Sequence, residues 1–109
     1  MEAAAGGTAV VKHIVFWTLK ESAEGHSARE NALEMKRRLE ALRGRIPGLL
    51  RLEVGIDFGR TATSADVALY SEFTDRPSLE GYQTHPEHVA AVEFIRKVRE
   101  TRAVVDYEA

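Results

Sequence analysis

Apolar and polar residues alternate through Val10–Lys20, VVKHIVFWTLK, in the two-residue rhythm of a strand. His13, Val15, Trp17 and Leu19 share one face; Lys12, Ile14, Phe16 and Thr18 share the other. Both faces carry large apolar groups, so the pattern predicts a strand in the middle of a sheet covered on both sides.

A polar loop, Glu21–His26, follows, and then a helix opens at Ser27. Ser27-Ala28-Arg29-Glu30 has capping-box spacing, in which the serine hydroxyl accepts from the Glu30 amide and the glutamate reaches back. Ala28, Ala32, Met35, Leu39, Leu42 and Ile46 recur at steps of three and four and make one apolar stripe. Gly44 weakens that helix and Pro47-Gly48 stops it. Leu50–Phe58 alternates again, with Leu50, Leu52, Val54, Ile56 and Phe58 on one face. A third strand, Asp66–Thr74, comes after a short turn-rich loop and pairs with it as a hairpin. Asp75-Arg76-Pro77-Ser78 starts a short helix. Pro86 disfavours helical geometry at His85, so the helix breaks there and a new one begins. Its inward stripe is His88, Ala91, Val92, Ile95 and Val98, with Arg96 turned to water; Arg102–Glu108 is a last strand.

The order is βαββαβ with the second helical segment split in two. It predicts an α+β fold, a ferredoxin-like plait with helices on one side of a four-stranded antiparallel sheet. No segment is left to cover the other side. A second copy, packed sheet to sheet by two-fold symmetry, is the economical cover and makes a dimeric α/β barrel. A monomer with a shallow ligand groove on that face is the alternative. The face bearing His13 and Trp17 is taken as the one turned to the partner.

Composition narrows the classes of function. At 109 residues the chain has room for one domain with one core; it is read as a loose tail over residues 1–8 and a domain over 9–109. The net charge of −2, with acids and bases interspersed, offers no basic stripe for nucleic acid. Cysteine is absent, which removes disulfides and thiolate metal sites and suits a reducing, cytoplasmic setting. No apolar run reaches the ~20 residues of a membrane span, so no membrane partner is expected.

Chemistry concentrates in Tyr82–Val89, YQTHPEHV, with a phenol and two imidazoles around a helix break. His88 begins an apolar stripe and points inward. It is either a core histidine satisfied by backbone or a general base, since imidazole titrates near neutral pH. Tyr82 either covers the helix break or donates its hydroxyl to a carbonyl oxygen on which charge develops. Together they suit enolisation, aldol-type or dehydration chemistry. His13, with Trp17 as an apolar wall, lines a pocket or holds an interface. His85 falls at the helix N-cap, a position histidine fills poorly. The His85-x-x-His88 spacing could suit a metal with His13 as third ligand, but the pattern is commonplace on helices, and no metal and no cofactor are expected. His26 is a solvated loop residue, and Asp106 and Glu72 are candidates for interior carboxylates.

KHIVFWTLKE near the start, IPGLLRLEVG in the middle, then YxxHPEHV and RAVVDYE resemble the stress-responsive A/B barrel (Dabb) family across Val10–Glu108. The Lys12-His13 pair and the later HPxH at His85–His88 carry the specificity of that likeness. The resemblance implies a homodimer of two ferredoxin-like protomers. It further implies, through a member that closes poly-β-ketones by an aldol-type step, a catalytic histidine at His88, a tyrosine at Tyr82 and a strand-one histidine at His13. Other members are stress-related without assigned chemistry. Two functions therefore stand: a small-molecule binder or lyase-like enzyme acting on a carbonyl compound, and a non-catalytic stress or interaction protein.

Overall fold

The computed structural model describes residues 9–109, so the tail read over residues 1–8 lies outside the described residues. The chain runs β1 (Val11–Leu19), β2 (Ser22–Ala23), β3 (His26–Ser27), α1 (Ala28–Glu40), β4 (Leu49–Ile56), β5 (Val67–Phe73), α2 (Arg76–Thr84), α3 (Pro86–Val98) and β6 (Arg99–Glu108). The main sheet has the order β4-β5-β1-β6 with every neighbour antiparallel. This is the ferredoxin-like plait, and β1 is central in it, as a strand apolar on both faces requires.

The local signals for the helices hold. Ser27 Oγ accepts from the Glu30 amide and Glu30 accepts from the Ser27 amide, closing the capping box. Asp75 caps α2, with Pro77 in its first turn. The α1 stripe is buried at Ala32, Met35, Leu39, Leu42 and Ile46, though regular helix ends at Glu40. Tighter turns carry the last two residues to Gly44 and Gly48, both at positive φ. At Gly48 a Cβ would collide with the Ser78 side chain, so the chain crosses the start of α2 only as glycine.

Four details depart from the pattern. The loop after β1 contains a two-stranded ribbon, β2-β3, turned at Glu24 and Gly25, both at positive φ as a tight hairpin turn demands. Buried Asn31 donates to the carbonyls of Ala23 and His26 and ties this ribbon to α1. In β4 the register with β5 slips between Leu49 and Arg51, which leaves Leu50 on the exposed side. Phe58 lies past the strand end and is 97% exposed. Finally, β6 starts at Arg99, directly from α3, rather than at Arg102.

The inward face of β1 is the one carrying Val11, His13, Val15, Trp17 and Leu19, all buried against the helices. This corrects the expected orientation: His13 and Trp17 face the helical layer, not a partner. The uncovered side of the sheet holds Ile14 and Phe16, with Ala68 and Tyr70 beside them on β5 and Ala103 and Val105 on β6. Phe16, Val105 and Tyr107 on this side are each 44–48% exposed.

Candidate functional site

The break between α2 and α3 builds the site. The His85 amide donates to the Tyr82 carbonyl, closing α2, and the His85 carbonyl accepts from Val89, opening α3. His85 Nδ1 accepts from the Glu87 amide, so this histidine does act as the N-cap. Tyr82 in the last turn of α2 and His88 in the first turn of α3 are thereby folded toward each other. Their rings stand 4.0 Å apart between centroids, tilted by 36°.

From the sheet side, His13 meets Tyr82 edge-on at 6.0 Å, and Phe73 packs against both. His13 Nδ1 donates to Asp106 Oδ1 at 2.5 Å, from β1 to the facing position of β6. The carboxylate thus orients the imidazole and selects the tautomer with hydrogen on Nδ1. The Ser71 hydroxyl donates to the His13 carbonyl and anchors the same residue from β5.

A cavity of about 320 Å³ opens between β1 and the helices. His13, Trp17, Tyr82 and His88 line it, with Val15, Leu39, Leu69, Val92 and Ile95 as apolar wall and Gln83, Arg96, Arg99 and Arg102 as polar contributors. Among the described residues, the buried side-chain polar atoms without a hydrogen-bond partner are Trp17 Nε1, Tyr82 Oη and His88 Nδ1. All three residues border this cavity. Buried polar atoms are nearly always paired in folded proteins, so three orphans around one cavity single it out as the candidate site.

Burial governs the protonation of the pair. It pushes the Tyr82 phenol well above its usual range, with the Arg102 charge working against it. It pulls the His88 imidazole from 6.5 down to about 4; the Gln83 backbone opposes this, and the charges of His13, Arg102 and His85 add to it. At neutral pH the site therefore holds a neutral phenol, which can donate, beside a neutral imidazole, which can accept a proton.

The structure brings together four of the five residues singled out by sequence. His85 stands outside the lining and positions its neighbours through the backbone. Among the described residues, no three histidine, aspartate or glutamate side chains converge as a metal site would need. Arg96, exposed as its helix position implies, borders the cavity together with Arg99 and Arg102, and none of the three was singled out from the sequence as a site residue. Alternation along β6 does carry a signal, since Arg102 and Asp106 fall on one face, but nothing local says which.

An antiparallel plait with a tyrosine–histidine pair set in a cavity under its helices defines a small α+β barrel-type domain. The chain belongs to the stress responsive A/B barrel domain family, whose model matches residues 11–109. It is similar to a dimeric protein of unknown function and ferredoxin-like fold from Bacteroides fragilis NCTC 9343, at 36% identity and a TM-score of 0.82, over 92% of this chain and 96% of that one. A dimeric ferredoxin-like protein of unknown function from Thermobifida fusca YX matches at 22% identity and a TM-score of 0.81, over 100% of this chain and 99% of that one. The hydroxynitrile lyase of Passiflora edulis shares the fold at 19% identity and a TM-score of 0.76, over 94% of this chain and 95% of that one. No curated protein matches the chain in sequence. No helix among the described residues is long and apolar enough to cross a membrane.

Proposed function

We propose that this chain is a homodimeric A/B barrel protein that binds a small carbonyl compound in each protomer and moves a proton on it. The observation that carries this reading is the stacked Tyr82–His88 pair, each with an unpartnered buried polar atom, at one cavity. The Tyr82 hydroxyl donates to the substrate carbonyl oxygen. His88 takes a proton from the adjacent carbon; the C–H electron pair moves into the enolate, and its charge rests on the oxygen held by Tyr82. An anion forming beside His88 raises its proton affinity, which offsets the low starting value. The proton returns at the end of the cycle, so no outside oxidant or cofactor enters. The hydroxynitrile lyase among the structural relatives supports lyase-type chemistry on this fold.

The dimer is supported by the uncovered apolar face and by the dimeric relatives. Phe16 and Val105 are each about half exposed, so leaving them uncovered forgoes about half of the roughly 1.5–3 kcal/mol that full burial of such a side chain contributes.

The test is exchange of the α-protons of ethyl acetoacetate into deuterated water, followed by NMR. The native protein accelerates exchange, and Tyr82→Phe and His88→Gln lose the acceleration. Equal rates in all three folded proteins would overturn the reading and favour a non-catalytic stress or interaction protein.

A further inference from the structure

Three guanidinium groups border the cavity without an acid to balance them. Arg96 comes from the last turn of α3, Arg99 from its C-cap and Arg102 from β6. The pairing of Arg99 with Leu19 and of Arg102 with Trp17 puts both on the helix side of the sheet. Among the described residues, no carboxylate forms an ion pair with any of the three. The carboxylates on the same face of β6 are engaged elsewhere, Asp106 with His13 and Glu108 with Arg76. Elsewhere on the molecule arginines find partners readily: Arg37 and Arg38 share Glu34, and Arg60 holds Asp66.

An unbalanced cationic cluster on an open surface is ordinary. This one adjoins apolar walls and three orphaned buried polar atoms, with Arg99 half-buried and Arg96 and Arg102 bordering the cavity from exposed positions. The Arg102 charge also reaches the reacting pair, lowering the proton affinity of both Tyr82 and His88.

We propose that the cavity takes a keto acid, whose carboxylate is held by Arg96, Arg99 and Arg102 while its carbonyl meets the cavity side of Tyr82 and His88. This rests on the carbonyl-pocket reading above and names its substrate class. Guanidinium forks match a carboxylate in planarity and spacing. A volume of about 320 Å³ is at the small end for ligand sites, which suits a compound of few carbons. The bound carboxylate also offsets the Arg102 charge beside His88 and so makes the imidazole a better base once substrate is seated.

Trp17 is the single tryptophan of the chain and borders the cavity, so its fluorescence reports on occupancy. The full chain is titrated with levulinate and with methyl levulinate. The acid binds at least about tenfold more tightly than the ester, as charge-assisted hydrogen bonds predict, and the gap narrows with added salt. Arg102→Gln and Arg99→Gln raise the Kd of the acid toward that of the ester. Equal affinity for acid and ester, no binding of either, or an acid affinity unmoved by both substitutions overturns the proposal. The exchange of ethyl acetoacetate, which has no carboxylate, is independent of these results. Retained Tyr82- and His88-dependent exchange with equal acid and ester affinity therefore separates loss of the anion site from loss of the carbonyl chemistry.

Discussion

Tyr82 and His88 lie ring against ring across a helix break, 4.0 Å between centroids, yet neither satisfies the polar atom of the other. Two aromatic groups packed only for stability would keep their contact and turn their polar atoms to a partner. Here Tyr82 Oη and His88 Nδ1 are both buried and both unpartnered. On the proposed function, the arrangement trades stability for readiness to meet a ligand.

That trade can be measured at Tyr82. Tyr82→Phe removes only the orphaned hydroxyl and keeps the ring against Phe73 and His88. The variant should be as stable as the native protein or more stable by about 1 kcal/mol, because an unpaired buried hydroxyl is costly. It should at the same time lose α-proton exchange. Tyr82→Ala, by contrast, empties a fully buried site and should cost about 3–5 kcal/mol in urea denaturation.

Acid should weaken the fold through His88. Its imidazole titrates at about 4 in the folded state against 6.5 for an ordinary histidine. Between those values the unfolded chain binds the proton and the folded one does not. The stabilisation associated with a neutral His88 is therefore complete above pH 6.5 and is lost as pH falls toward 4. Glu34, held at about 2 by Arg37 and Arg38, adds its own loss below the ordinary glutamate range. The difference between native protein and His88→Phe isolates the histidine: its urea midpoint should fall less steeply between pH 6.5 and 4. Parallel curves would contradict burial of a neutral imidazole.

Adjacent residues of β1 should fail in different ways. Phe16 is 44% exposed on the uncovered face and Trp17 is 4% exposed under the helices. Phe16→Asp should leave a folded chain that sediments as a 12.1 kDa monomer, while the native protein sediments at twice that mass. Trp17→Ala should instead leave the dimer face intact and cost the fold about 3–5 kcal/mol, since it removes a large buried side chain from under the helices. Monomeric native protein would remove the two-fold cover for the open face.

Gly48 should not tolerate a side chain. Its φ is +80 and a Cβ there would meet Ser78. Gly48→Ala should cost about 1–3 kcal/mol from backbone strain alone, read as a lower thermal midpoint. Gly48→Ala with Ser78→Gly should recover part of that loss, because the collision is gone and the strained backbone remains.

Much of this architecture is written in short-range chemistry. The capping box at Ser27, the break at Pro86 and the alternation of β1 each act within a few residues, so they can be read before any fold is known. They also put Tyr82 and His88 on either side of one helix break. The register slip at Leu50 and the ribbon turned at Glu24-Gly25 escaped because an even alternation and a polar loop look the same with or without them.

By itself, then, the chain determined the order βαββαβ, the centrality of β1 and the placing of Tyr82 and His88 on either side of one helix break, all through local periodicity and caps. The tertiary structure alone decided which face of β1 the helices cover. Both faces are apolar, and the choice follows from the hand of the crossover between β1 and β4 combined with the phase of the pleat. It alone decided that His13 meets Asp106, 93 residues away, and that Arg96, Arg99 and Arg102 gather at the cavity. Those meetings depend on the register of β6 against β1, and register is a property of paired strands rather than of either strand alone.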